Sequence, residues 1–262
     1  MHQPLSYVHP QAELADNVVV EPFVTIHKDV IIDEGTWIGP HVTIMEGARI
    51  GKNCKIFPGA VISAIPQDLK YKGEKTTVQI GDNVTIREYV TVNRGTEQSG
   101  TTKVGDNTLL MAYVHVAHDC VIGKNCILAN NVNLAGHVEI DDYAILGGSV
   151  NVQQFTKIGK HSFISGGGGV NKDVPPFVKA ARFPLSYIGV NSVGLRRRGF
   201  ESHQINIILE IYRILFVRGY NVSNALKIIE AEIEDSPEKD EITTFVRESV
   251  RGVMKGFVTE NK

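Results

Sequence analysis

The chain is poor in cysteine, in aromatic residues and in net charge, and it has no long apolar run. Three cysteines among 262 residues, Cys54, Cys120 and Cys126, cannot build a disulfide framework and lack the CxxC spacing of a metal knuckle, a usage that suits a reducing compartment. A formal net charge of -2 excludes nucleic-acid binding by bulk positive charge, so any basic patch must be local. No stretch reaches the roughly 18 consecutive apolar residues of a membrane span. Met1 to Pro10 has no basic region followed by an apolar core, so no signal peptide and no membrane insertion are expected, and the cytoplasm is the expected address. The 42% hydrophobic and 21% charged composition is that of a globular chain, long enough for one large domain or two modest ones.

What is abundant is a period of six. Starting at Val8 and stepping by six, 25 of the 28 slots between residues 8 and 175 open with Val, Leu or Ile, from Leu14 and Val20 through Ile62, and from Val104 through Val170. The fifth place is mostly small or β-branched, as in Val18, Thr36, Ala48, Val114 and Val138, and glycine recurs at the second place, as in Gly51, Gly81, Gly105 and Gly123. Neither a helix of period 3.6 nor a long alternating strand buries one residue in six. A coil of short flat strands does, with three faces and 18 residues per turn, and successive turns stack at about 4.8 Å. All three cysteines fall at the inward fifth place, as small apolar fillers.

Slots opening with Asp68, Glu74 and Gln98 break the pattern and mark two excursions, around 65–74 and 94–101, after which the phase resumes. Loops on a rigid repeat scaffold are common recognition sites, although a solvated insertion is the plainer reading. After Val174-Pro175-Pro176 the phase ends, and helical spacing of apolar residues predicts helices over 203–217, 222–233 and 242–254, with breaks at Gly219 and Ser236-Pro237. The expected division is a parallel β-helix domain over 1–190 and a helical domain over 191–262.

Of the nine histidines, His2, His9, His27, His41, His161 and His203 read as terminal or surface residues. The exception is His115-Val116-Ala117-His118-Asp119-Cys120, followed one coil later by Gly136-His137 and another coil later by Gln153-Gln154-Phe155. A separation of 18 stacks His118, Gly136 and Gln154 in one column, flanked by His137 and Gln153. Neutral imidazole is suited to taking a proton from a hydroxyl near pH 7, and a glycine leaves a backbone N–H approachable by an oxyanion. No Ser or Cys stands as an obvious nucleophile, which favours direct acyl transfer over a covalent acyl-enzyme. Alternatively these histidines line a subunit interface, or His115, His118 and His137 bind zinc as three histidines do in the γ-class carbonic anhydrases. That class's short pair separated by four residues and its distant upstream His are missing, so no metal and no cofactor are expected.

The segments Ile65-Pro66-Gln67-Asp68-Leu69-Lys70-Tyr71, Val92-Asn93-Arg94-Gly95-Thr96, Ala117-His118-Asp119-Cys120, Leu134-Ala135-Gly136-His137 and Gly194-Leu195-Arg196-Arg197-Arg198-Gly199-Phe200, together with the hexads, resemble the bacterial UDP-N-acetylglucosamine O-acyltransferases. These are hexapeptide-repeat enzymes that perform the first acylation of lipid A synthesis. The resemblance implies a left-handed coil, a homotrimer with active sites between subunits, and acyl carrier protein and UDP-N-acetylglucosamine as partners. It implies His118 as general base, Asp119 as its support and Gly136 N–H as oxyanion donor. Asp68, Lys70, His115, His137 and Gln154 would hold sugar nucleotide or acyl chain, and Asn191 and Arg198 the nucleotide end. Gly166 would be the acyl-length ruler, open to a long chain, although a plain glycine-rich turn is the alternative. Lys172, Lys179, Arg182, Arg196 and Arg197, with Arg198, form a local basic patch facing one acid, Asp173, and suited to docking an acidic carrier protein or nucleotide phosphates. Many relatives carry His where this chain has Gln153, and some where it has Asn93. The later N-acyltransferase of the same pathway carries a uridine-binding domain ahead of its repeats, for which repeats beginning at Val8 leave no room. Acetyl-CoA-dependent acetyltransferases are not expected to share the Gln67 to Tyr71 segment or the helical tail. A non-catalytic β-helical scaffold would explain the hexads but not the stacked polar column.

Overall fold

The computed structural model describes residues 5–256, so His2 lies outside the described residues. Short strands, most of two residues, alternate with turns and line up in sheets of nine, eight and eleven strands, parallel throughout the coil, that form the three faces of a left-handed β-helical prism. Register confirms the coil length: Val8 lies against Ile26, Leu14 against Ile32 and Val20 against Ile38, each 18 residues on.

The first-place aliphatics point inward and stack on one another. Ile26, Ile38, Ile56, Ile86, Leu110, Leu128, Leu146 and Ile164 are all fully buried. At the fifth place, Thr36 is tolerated inside because its hydroxyl donates to Gly51 O at 2.8 Å and accepts from Cys54 N at 3.1 Å, so no buried polar group is left unpaired there. Cys54, Cys120 and Cys126 are free and buried, and burial pushes their thiols up to about 11, 12 and 12, which suppresses the thiolate.

Sharp corners between faces need left-handed backbone, and the fourth place of most slots supplies it. Asn53, Asn83, Asn107, Asp119, Asn125 and His137 all have φ between 54° and 60°, residue types that tolerate this region better than most. Close approach between coils explains the second-place glycines. A Cβ on Gly105 would come within 2.6 Å of the Gly123 carbonyl carbon.

The two excursions widen the register offset to 30 between Val61 and Thr91 and to 24 between Thr91 and His115. Both leave the nine-stranded sheet and return to the eight-stranded one, so they occupy the same corner of the prism. In the coils above, that corner is turned by residues 117–120, 135–138 and 153–156.

Past Val174 the six-residue phase ends, but the sheet does not. Strand Val178–Ala181 pairs in parallel with Phe163–Ile164 at an offset of 16, Ser186–Val190 folds back antiparallel, and Lys255–Gly256 closes the eleven-stranded sheet. A shorter last coil, with its left-handed corner at Phe177 (φ 66°), escapes a search for period six.

Four helices follow: α1 (Ser192–Arg197), α2 (Ser202–Phe216), α3 (Val222–Glu232) and α4 (Pro237–Glu248). α1 was not anticipated, being too short for a helical period to register. α4 begins five residues before the expected 242 and ends at Glu248, short of 254. Ser236-Pro237, read as a break, is a start: the Ser236 hydroxyl accepts from Lys239 N at 3.1 Å and proline occupies the first turn. α2 buries Ile205, Ile208, Ile211, Tyr212 and Leu215, and the Tyr212 hydroxyl donates to Pro176 O at 2.5 Å, which fixes the helices to the top of the prism. Leu209 is exposed, and Ile207 is buried in addition.

Candidate active site

Third-place residues His118, Gly136 and Gln154 and fourth-place residues Asp119, His137 and Phe155 stack on the corner that the two loops overhang. His118 Nδ1 lies 2.8 Å from Asp119 Oδ2. Asp119 is buried, at 4% exposure, and its carboxylate also accepts from Thr96 N–H at 3.0 Å, from the Thr96 hydroxyl at 2.6 Å and from the Ser99 hydroxyl. Burial pushes the Asp119 carboxyl up, but the hydrogen bonds from Ser99, Thr96 and His118 outweigh it and hold the group below its ordinary value. An ionised carboxylate only accepts, so His118 carries its proton on Nδ1 and presents the Nε2 lone pair.

Gly136 sits directly against this ring. A Cβ there would fall 2.5 Å from His118 Cε1 and 2.7 Å from Nε2, so only glycine lets backbone and imidazole share the space. His137 stacks on Phe155 (centroids 4.6 Å apart, planes at 9°), meets His118 edge-on at 5.1 Å, and places Nε2 3.7 Å from Asp119 Oδ2. Burial, together with the neighbouring His118, lowers the His137 pKa against the opposing pull of Asp119 and Asp68.

Around this column lies a groove of about 760 Å³ lined by Asp68, Lys70, Tyr71, Thr96, His118, His137, Gln154 and Phe155 among others. The structure thus brings Asp68, Lys70, His118, Asp119, Gly136, His137 and Gln154 together. Its roof is the first loop, tied down by Tyr71 OH donating to Glu74 O at 2.9 Å and by Asn93 Nδ2 donating to Ile65 O at 3.0 Å. Thr96, Ser99, Asn93 and Phe155 carried no role in the sequence reading. For Thr96 and Ser99 the signal was absent because the second loop has no repeat phase to predict which hydroxyl reaches the column, whereas Phe155 stood in phase at the fourth place.

Other candidates lie elsewhere. His115 is on the strand below the corner, its Nδ1 2.7 Å from the Thr91 hydroxyl, and burial followed by the His118 charge lowers its pKa. Asn191 and Arg198 belong to a different edge, the corner between the eight- and eleven-stranded sheets that carries Tyr143 and His161. There the Asn191 amide caps α1 and donates to His161 O at 2.9 Å, and Arg198 packs over the Tyr143 ring and donates to Tyr143 O. His161 is not a surface histidine. It is stacked between Tyr143 and Phe177 with Phe200 at its edge, and burial, then Arg198, lowers its pKa to about 4. Gly166 lies where a Cβ would come 2.9 Å from Gly148 O. Arg196 and Arg197 are exposed at the end of α1, Arg182 and Lys172 are exposed, and Lys179 is half-buried. Lys172 Nζ donates to Arg251 O at 2.5 Å.

A three-sided prism with a polar groove on one corner is the architecture of the hexapeptide-repeat transferases, and the profile of bacterial transferase hexapeptide repeats matches residues 29–64 and 101–136. Residues 173–254 match the second domain of UDP-N-acetylglucosamine O-acyltransferase. The chain is 44% identical over 256 residues to an acyl-[acyl-carrier-protein]–UDP-N-acetylglucosamine O-acyltransferase of Janthinobacterium sp. (strain Marseille), covering 97% of this chain and 98% of the relative. Identity to the protein of the same name from Alkalilimnicola ehrlichii is 46%, over 96% and 98% of the two chains. Among solved structures, the UDP-N-acetylglucosamine acyltransferase of Bacteroides fragilis superposes with a TM-score of 0.96 at 49% identity, over 97% of this chain and all of that one; that of Francisella novicida gives 0.94 at 41%, over 97% and 94%. The chain belongs to the UDP-N-acetylglucosamine O-acyltransferase family and is an acyltransferase enzyme.

Proposed function

We propose that this enzyme transfers an (R)-3-hydroxyacyl group from acyl carrier protein to the 3-hydroxyl of UDP-N-acetylglucosamine, the first step of lipid A biosynthesis, in the cytoplasm and by direct attack on the thioester. The observation that carries the mechanism is the His118–Asp119 pair, 2.8 Å apart, beneath the groove. His118 Nε2 takes the proton of the sugar hydroxyl as its oxygen bonds to the thioester carbon. The oxyanion forms against the Gly136 N–H. Collapse of the tetrahedral intermediate breaks the C–S bond, and the imidazolium returns its proton to the departing carrier thiol. Asp119 fixes the tautomer and offsets the imidazolium charge.

Asp68, Lys70, His137 and Gln154 line the groove as contacts to the sugar nucleotide or acyl chain, with His115 one strand below. Asn191 and Arg198, on another edge of the same prism, reach a nucleotide only if a neighbouring copy supplies them, which supports a homotrimer with sites between subunits. Gly166 leaves room for a long acyl chain, roughly 14 carbons or more, and Gly166→Met is expected to shorten the preferred donor, with the melting temperature checked because its Cβ crowds Gly148 O. The basic residues Lys172, Lys179, Arg182, Arg196 and Arg197 form a docking surface for the acidic carrier.

Incubation with UDP-N-acetylglucosamine and a panel of 3-hydroxyacyl carrier proteins, with products identified by mass, tests the substrate assignment. His118→Ala is expected to lower kcat by about 10²–10⁴-fold while the assembly stays folded, and retained turnover would eliminate the general-base mechanism.

A further inference from the structure

We propose that His118, Asp119 and His137 also form a binding site for a zinc-class divalent ion, and that its occupancy shuts the enzyme off. The inhibitory part rests on the general-base reading above; the binding part does not. Among the described residues these three are the cluster whose imidazole and carboxylate ligand atoms come together, all within 4.8 Å of one another. His118 Nδ1 and His137 Nε2 lie 2.8 and 3.7 Å from the same Asp119 Oδ2. Two ligand atoms on a tetrahedral zinc with bonds near 2.1 Å are about 3.4 Å apart, so the His118 contact must open by about 0.6 Å, the His137 contact close by about 0.3 Å, and the two rings, which stand within 4.8 Å, turn toward each other. Two imidazoles and one carboxylate are a donor set that zinc accepts readily, and the groove leaves further coordination positions open to water.

The supporting shell is already in place. Thr96 and Ser99 hold the carboxylate, and the Phe155 stack fixes the plane of His137, which is how outer partners orient metal ligands. The zinc alternative raised and set aside in the sequence took His115 as its third histidine, but that ring is turned to Thr91, and Asp119 takes the place. Ligation at His118 Nδ1 displaces the proton that now bridges to Asp119. The neutral ring then carries its proton on Nε2, facing the substrate, with no net change in protonation. That tautomer cannot accept a hydroxyl proton, so transfer stops while the fold is untouched.

The experiment titrates chelator-treated enzyme with Co²⁺, read by visible d–d absorption, and with Zn²⁺, read by calorimetry and by turnover. Saturable binding of one ion per chain is expected, with loss of turnover at the same occupancy and full recovery on adding EDTA. His137→Gln is expected to weaken Co²⁺ binding by more than the roughly 10–100-fold that loss of an outer-shell partner costs. His203→Gln, which removes a surface histidine paired with Glu234 at 3.0 Å, leaves binding unchanged. No saturable spectrum, or a spectrum unaltered in His137→Gln, overturns the site. Binding without inhibition overturns the shut-off and with it the role of His118 Nε2, whereas activation of chelator-treated enzyme by zinc overturns the metal-free mechanism.

Discussion

A methyl group on Gly136 would land 2.5 Å from the His118 ring, and the imidazole has little room to retreat because Asp119 holds its other side. Misplacing a reacting group by about 1 Å can cost about 10²-fold. Gly136→Ala is therefore expected to lower kcat by about that factor, with some loss of melting temperature because the methyl crowds the ring, and a wild-type kcat would show that this contact is not catalytic. His161 offers a different single-residue test. Its pKa is lowered from 6.5 to about 4, so below pH 6.5 the unfolded chain binds a proton that the folded one refuses. The stability of the neutral, stacked ring is complete above pH 6.5 and declines as pH falls toward 4. His161→Phe keeps a ring in the stack and is expected to flatten the fall in melting temperature between pH 7 and 5. At this scale the sequence made the column legible, because an 18-residue repeat converts numbering into adjacency. It concealed the ring stack at His161, since Phe177 lies 16 residues on and Phe200 comes from outside the repeat.

Loops and helices were legible as interruptions, and less so as partners. The second loop has no period, yet it supplies Thr96 and Ser99 to Asp119. Thr96→Ala with Ser99→Ala is expected to raise the Asp119 pKa and to move the acid limb of the kcat profile to higher pH, with the base itself intact. The docking of α4 makes a second prediction. Asp141 is pushed up to about 6 by burial, then by Glu241 against the pull of Lys160, with Asp142 and Glu139 adding to the rise. Lys160 meanwhile bonds Glu241 at 2.9 Å. Here the folded state holds a proton that the unfolded chain has lost, so the penalty of burying this carboxyl sets in above its ordinary value of 3.8 and is complete above pH 6. Asp141→Asn is expected to raise the melting temperature most at pH 8, by roughly half as much at pH 5, and little below its ordinary value. No repeat pattern foretells this, because the acid belongs to the coil and its neighbour to a helix about a hundred residues later.

Taken whole, the prism separates two groups of residues that the proposed reaction needs together. His118 stands on one vertical edge and Arg198 on another. Mixed assemblies of His118→Ala and Arg198→Ala chains are therefore expected to regain part of the activity that each variant lacks alone, because some junctions pair two intact halves. Absence of any recovery would place both residues in a site within one chain. The architecture was readable from the hexads because a core one side chain wide repeats the same demand at every step, whereas the arrangement of neighbouring copies leaves no periodic trace.

The identical 18-residue register of the lower coils, Val20 over Ile38 and Ile26 over Ile44, makes everything beneath the first loop a pedestal of interchangeable courses. Cutting out residues 20–37 would join equivalent positions and lower the pedestal by one course, about 4.8 Å, while the catalytic corner keeps its orientation.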